Sequence, residues 1–502
     1  MLEFGAYLPD QAVYGSAGSA EVNNCLPLTD KSYGPLNSLS SVVDALPSRP
    51  LGAMAFREND GTFHTFCGDV DNLYKLNATS WTEISKTTDV YTSNTSTGWE
   101  FEQYGNNVIG CNGHTDDLQS YVMGTSTKFA DLAAGTAPKA KHIAVINNFT
   151  MVGNTSDAVD GVVPNRVWWS AIDDPTSWPS IGSSAAAQVQ SDRQDIPTGG
   201  AVQAIIGAVG GADGAIFMEK AIYRVTYEGS PAVFSFKEIE RGRGAMAPKS
   251  VVNVGPFAAY LGEEGFFLFD GTQSIAIGNQ KVDTYFFNDL DFNYVDRITA
   301  TADPVSKIIF WSYPGAGSVD GQPNRMMMYN WVTQRWADAT IETQALFADI
   351  TAGYTLDELD AFGNMDTITT TLDSRIWISG FLIASAFDAD NKLSTFSGGS
   401  LPVELITAEF GGNELFQKPN ERMYVDGVRP YVDGGTYTVS LMYRDSPSGT
   451  LLTDGPSTVD ANGLAHFTRS CRYARVKVEI AANTLWKHAQ GIDIDADPDG
   501  EY

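Results

Sequence analysis

Long apolar runs are missing from this sequence, and their absence excludes a helical membrane span, which needs about 20 consecutive apolar residues. The opening "MLEFGAYLPDQAVYG" has neither a basic n-region nor a continuous apolar h-region, so the expectation is a chain without a Sec signal. Cysteine is scarce. Cys25, Cys67, Cys111 and Cys471 lie far apart with no C-x-x-C spacing, which argues against a zinc site or a disulfide framework and for burial as small hydrophobes. The five histidines, His64, His114, His142, His466 and His488, share no spacing, so no converging imidazole set of the copper-oxidase kind is read. Basic residues are few as well: 32 Lys and Arg against 61 Asp and Glu leave a net charge of −29. Tight, sequence-indifferent binding to a phosphate backbone needs clustered cations and is therefore not expected. G-x-S-x-G, Walker and H-E-x-x-H motifs do not occur.

What is present is turn chemistry. In 502 residues there are 48 glycines and 22 prolines, with 43% hydrophobic and 11% aromatic content. That composition describes a globular chain of many short strands. Between Arg49 and Lys86 the chain reads "LGAMAFREN", "TFHTFCGD", "NLYKLN" and "SWTEIS", four apolar-rich segments separated by Gly, Asp and Asn turns. The layout returns over Arg297 to Ile341, and Tyr74 and Trp81 in the first unit have the same seven-residue spacing as Tyr329 and Trp336 in the second. Similar quartets read at Trp99 to Leu132, Lys141 to Ile181, Ala201 to Glu240 and Lys249 to Gly278. A seventh candidate runs from Arg375 to Phe410.

Units of this size, each a sheet that cannot bury both its faces alone, are the signature of a β-propeller. The expected fold is therefore all-β: a propeller of six four-stranded blades with a seventh candidate, a C-terminal β-sandwich module and an extended N-terminal arm. Stacked sandwiches are the alternative that the strand spacing also allows. The divisions are residues 1–47 for the arm, 48–412 for the propeller with an irregular acidic segment at 343–374, and 413–502 for the sandwich. The arm, rich in Pro, Gly, Ser and Asn, is expected to dock on a neighbouring subunit. The acidic stretch from Thr355 to Ser374 is expected to face a partner or a lumen.

Several motifs invite a chemical reading. "SAIDDPTSW" is similar to the Asp-box turn of sialidase propellers, but it lacks the glycine and its Ser170-to-Trp178 interval is one residue longer. Asp173 and Asp174 are therefore read as a turn, with Trp168, Trp169 and Trp178 filling core or inter-blade space. "DADPDG", Asp495 to Gly500, copies the first half of a calcium loop, but the sequence stops at Tyr502, before a twelfth-position Glu, and a closed oxygen cage is not expected. "ERGRGAMAPK" is the densest basic cluster. Arg241 and Arg243 within it are candidates for contact with another subunit or with a DNA backbone, against the plainer reading of a surface turn between blades. Catalytic, cofactor-binding and metal-binding residues are not assigned.

The order of the segments "LPDQ", "DGTFHTFCGDVDNLYKL", "WEFEQYGNNVIGCNG", "PNRVWWSAIDDPTSW", "GFFLFDG…IGNQKVD" and "NRMMMYNWVTQRW" resembles that of phage tail hub or nozzle proteins. These include the packaged-DNA stabilisation proteins of short-tailed phages. The resemblance implies a non-enzymatic virion component assembled in the host bacterial cytoplasm. It implies a homo-hexameric ring that lines or closes the DNA exit channel and retains packaged DNA until ejection. Implied partners are adaptor or portal-proximal proteins and tail fibre or spike proteins, with double-stranded DNA in transit. The alternatives are an extracellular carbohydrate-active or oxidase-type propeller enzyme and a receptor-binding adhesin.

Overall fold

Gly/Asx turns every few residues divide the chain into short antiparallel strands, and the strands gather in fours. The computed structural model describes residues 1–41, 43–88, 90–351, 378, 380–417 and 421–500. Four-stranded meanders occupy residues 52–83, 100–131, 139–195, 202–241, 252–276 and 299–340. A seventh sheet contains Ala345–Ile350, Leu382–Phe387 and Leu393–Thr395. Ala345–Ile350 packs beside Thr299–Asp303 of blade 6 on one side and Gly52–Arg57 of blade 1 on the other, which closes the ring. This is a β-propeller. No helix among the described residues is long and apolar enough to cross a membrane.

Strand alternation explains how the blades adhere, since successive side chains point to opposite faces. Trp168 and Trp169 are neighbours on Gly161–Trp169 of blade 3. Trp168 packs with Ile109, Val152 and Trp178 toward blade 2. Trp169 turns the other way, to an edge-on contact with Phe234 of blade 4 at 5.3 Å. The seven-residue aromatic spacing, by contrast, yields two different geometries. Tyr329 and Trp336 are cross-strand partners with rings 4.7 Å apart. In blade 1 a tighter turn pairs Asn77 with Ser80, which shifts the register so that Trp81 opposes Leu76 and packs on Phe387 of blade 7.

Some boundaries differ from the sequence reading. The fourth strand of blade 3 is Asp192–Asp195, beyond the expected limit at Ile181. A turn and the helix Ser184–Val189, capped by Ser183, intervene. Residues 345–350, assigned to an irregular segment, are the innermost strand of blade 7, whereas residues 352–374 of that segment lie outside the described residues. "VELI", Val403–Ile406, was expected in the seventh blade but pairs with Tyr473–Ile480 in the C-terminal module. The blade's outer edge is already occupied: Ser40 exchanges backbone hydrogen bonds of 2.9 and 3.0 Å with Thr395. An uncovered strand edge leaves backbone groups unpaired.

The C-terminal module is two facing sheets. One contains Met423–Val432, Ala465–Cys471 and Ala489–Pro498 with Leu2–Glu3 at its edge. The other contains Val403–Ile406, Tyr437–Arg444, Leu452–Thr458 and Tyr473–Ile480. Val425, Val428 and Ile492 from the first meet Val439, Leu441, Val476 and Val478 from the second in one core. "DADPDG" begins inside Ala489–Pro498, where Asp495 opposes Gly427 and Asp497 opposes Tyr424. An extended strand cannot wrap its carboxylates around one ion, which removes the calcium-loop reading for this segment.

Much of the arm's backbone is taken up within its own chain. Glu21–Asn23 lies between Arg335–Thr340 of blade 6 and Val403–Ile406, so one sheet runs from the propeller through the arm into the sandwich. Arg335, 5% exposed, anchors this junction. Its guanidinium donates to the carbonyls of Thr29 at 3.2 Å, Phe4 at 2.5 Å and Gly5, and lies 4.3 Å over the Tyr33 ring. Arg335→Met keeps much of the bulk but strands those carbonyls. The expected outcome is a loss of about 3 kcal/mol in urea denaturation together with faster proteolysis inside residues 6–20; a variant as stable and as resistant as the parent would show that the arm is held elsewhere.

Candidate functional site

The innermost strands of all seven blades enclose a central channel of about 770 Å³. Its wall is set by small and branched residues at alternate positions, among them Ala144, Ile206, Val252, Ala302 and Ala348. The residues that precede or open these strands collect at one end. There Lys141, His142, Glu219, Lys249 and Asp296 surround a second cavity of about 350 Å³ that shares Lys249 and Asp296 with the channel. Charge therefore sits at this mouth, and the wall beyond it is mostly apolar.

Three cations meet there. Arg49, Lys249 and Arg297 all line the channel. Lys249 donates to the Leu51 carbonyl at 2.5 Å. Gly98, at φ +68°, makes that approach possible, because a Cβ at that position would strike both the carbonyl and the ammonium. Burial pulls the Lys249 ammonium down to about 8. Arg49 is pulled down to about 10 by burial and then by the like charge of Arg297. On the acidic side, Glu100 is turned to His142 at 2.8 Å. Two residues further along the same strand, Glu102 stands against the apolar wall, and burial pushes its carboxyl up to about 7.

Sequence reasoning missed these residues, although a signal existed. Arg49 and Lys249 each stand three positions before the first strand of a blade, and Arg297 stands two before. Superposing the repeats would have aligned three basic residues at one structural level. The residues that sequence reading did single out lie elsewhere. Arg241 is exposed and paired with Glu238 through two bonds of 2.6 and 3.0 Å. Arg243 reaches Glu264 at 3.2 Å and covers the Phe267 ring at 4.6 Å. Arg241 ends the last strand of blade 4 and Arg243 lies in the connection to blade 5, both away from the channel lining, and the structure brings them to acidic partners rather than to each other. Asp173 and Asp174 form a turn: Asp173 has φ +58° and Asp174 accepts from the Thr176 amide at 2.9 Å. All four cysteines are free and buried. Among the described residues no group of three or more His, Cys, Asp or Glu is placed to hold a metal ion.

No family model matches the chain, and no curated protein matches it. Solved structures similar to it include the Pan2 WD40 domain of Neurospora crassa, at 7% identity and a TM-score of 0.38, covering 71% of this chain and 94% of that one. Apo AztD from Citrobacter koseri is similar at 12% identity and a TM-score of 0.32, covering 62% of this chain and 96% of that one.

Glu102 gives the channel a pH signature. Its folded pKa lies above the ordinary carboxylate value, so its contribution to stability is full in acid and is lost as pH rises through about 7. In thermal melts, Glu102→Gln is expected to gain on the parent between about pH 5 and pH 8, with little difference at the acid end. A difference that does not change with pH would place Glu102 in contact with water.

Proposed function

We propose that this chain is a structural component of a phage tail, a nozzle or hub subunit that assembles into a homo-hexameric ring around the DNA exit path. Its reading as a non-enzyme belongs to the same proposal. The single observation that carries it is the sheet that continues from blade 6 through the arm into the sandwich. A chain knitted in this way moves as one unit and passes load from one end to the other, as a ring under internal pressure requires. The ordered segment resemblance supports the same reading. Ring neighbours, adaptor or portal-proximal proteins and fibre or spike proteins are the partners it calls for, and the virion tail is the place.

The charge supports passage rather than binding of DNA. A duplex carries about one charge per 1.7 Å of axis and adheres to cationic walls. A chain at −29 offers few, provided that the lumen-facing surface shares the excess, since screening limits the effect to about 10 Å at 0.1 M salt. Arg241 and Arg243 carry carboxylate partners, which favours a role against an adjacent subunit over one against phosphate.

Two measurements test the proposal. Electron microscopy of purified particles, labelled with an antibody to this chain, should place the label at the tail tip, and the isolated protein should form rings of six by mass photometry. Unlabelled particles would overturn the assignment. Reproducible sugar release from glycans, or oxygen uptake, by the purified protein would replace it with an enzymatic one.

A further inference from the structure

Several cations in this molecule are answered by carboxylates. Arg166 is held by Asp157, Asp160 and Asp195 at 3.1, 2.7 and 2.6 Å. Arg444 grips Glu409 at 2.5 and 2.7 Å. Lys220 meets Glu263 at 2.5 Å. At the channel mouth three cations stand close together, and among the described residues Arg49, Lys249 and Arg297 have no carboxylate within salt-bridge reach. Arg297 has only the Tyr294 ring, 5.6 Å away, and Lys249 only a backbone carbonyl. Asp296 and Glu100 are the acids whose charge reaches Arg49 and Lys249, but neither is in direct contact with them, so the opening offers cationic groups to an anion.

Some polar groups behind the same wall also lack partners. The Nε of Arg49, the Oε1 of Gln344 and the Oγ1 of Thr301 are buried without a hydrogen-bond partner, and all three residues line the channel. Thr301 is 2% exposed. Beyond them the wall offers alanine and branched aliphatic surface, and about 770 Å³ falls within the range of small-molecule sites.

We propose that the central channel binds a small single-chain amphiphile, its anionic head held between Arg49 and Arg297 beside Lys249, and its apolar body laid along the alanine- and valine-rich wall. Two guanidiniums that repel each other across a gap are brought to rest by one planar anion between them. The charged groups facing the head are Asp296, which limits it to one negative charge, and Glu100, which is engaged by His142. Glu102 faces the body, and its ionisation above about pH 7 weakens binding. The site stands on the channel's own residues and does not depend on the tail assignment.

Isothermal titration calorimetry with decanoate tests it, with decan-1-ol and inorganic phosphate as the two halves of the probe. Decanoate should bind once per chain, at least about tenfold tighter than either half, since a charge-assisted hydrogen bond is worth that factor or more. The combined variant Arg49→Gln, Arg297→Gln should lose about tenfold or more for decanoate. Ala302→Phe, which fills the wall, should abolish binding, and it carries the test alone if the arginine variant does not fold. Absence of decanoate binding would overturn the proposal, as would decan-1-ol or phosphate binding as tightly as decanoate, or undiminished binding in a folded variant.

Discussion

The whole molecule depends on a buried guanidinium without a carboxylate. Arg335 holds three backbone carbonyls of the N-terminal arm and an aromatic face, and the arm in turn completes two other parts of the fold. Its strand Glu21–Asn23 joins blade 6 to the sandwich, and its residues 38–40 cover the open edge of blade 7. A propeller closed only by side-chain packing between its first and last blades can open there. In this chain the last blade is bonded along its outer edge to a segment that is itself fixed on blade 6. The cost of burying a cation is offset by joining parts that are far apart in sequence.

Beside that junction stand two carboxylates in partly or fully buried surroundings, Glu21 and Asp338. Asp338 accepts the Tyr285 hydroxyl at 2.8 Å and the Asn23 amide at 3.1 Å. Burial, and for Glu21 the neighbouring charge of Asp338, raise both carboxyls above the ordinary range. The junction between arm and blade 6 thus holds carboxyls whose ionisation is made harder by burial, and the same physics recurs in the channel at Glu102. An acidic chain can hold such groups inside because burial moves their protonation rather than leaving bare charge in the core.

Much of the fold was legible because turns and alternation are local properties. Quartets separated by Gly and Asx gave the blades, and the adjacent tryptophans at 168 and 169 followed from the period of a strand. What was not legible depended on contacts between distant residues. Nothing in "VELI" says whether it pairs with residue 395 or with residue 478; competition from the arm for the blade edge decides it. The insertion between Trp169 and Asp192 hid the last strand of blade 3, because a capped helix and a turn displaced it from the expected spacing. The channel cations escaped notice for a related reason. Arg49 and Arg297 come from separate segments and Lys249 closes "ERGRGAMAPK", and only closure of the ring brings the three together. Arg241 and Arg243 drew attention by being dense in sequence, yet in the fold each is matched by a nearby acid.

The order in which the chain leaves the ribosome gives the woven arm another meaning. Residues 1–41 emerge first, but their partners are at 335–340, 395–406 and 489–492. The blades can form in turn, each from contiguous residues, while the arm waits for its partners at 395–406 and 489–492 to be synthesised. Loop closure over such distances is slow and comes late. Seating of the arm is thus a late step that reports on the C-terminal module: without residues 395–492 the C-terminal strands that pair with the arm are absent.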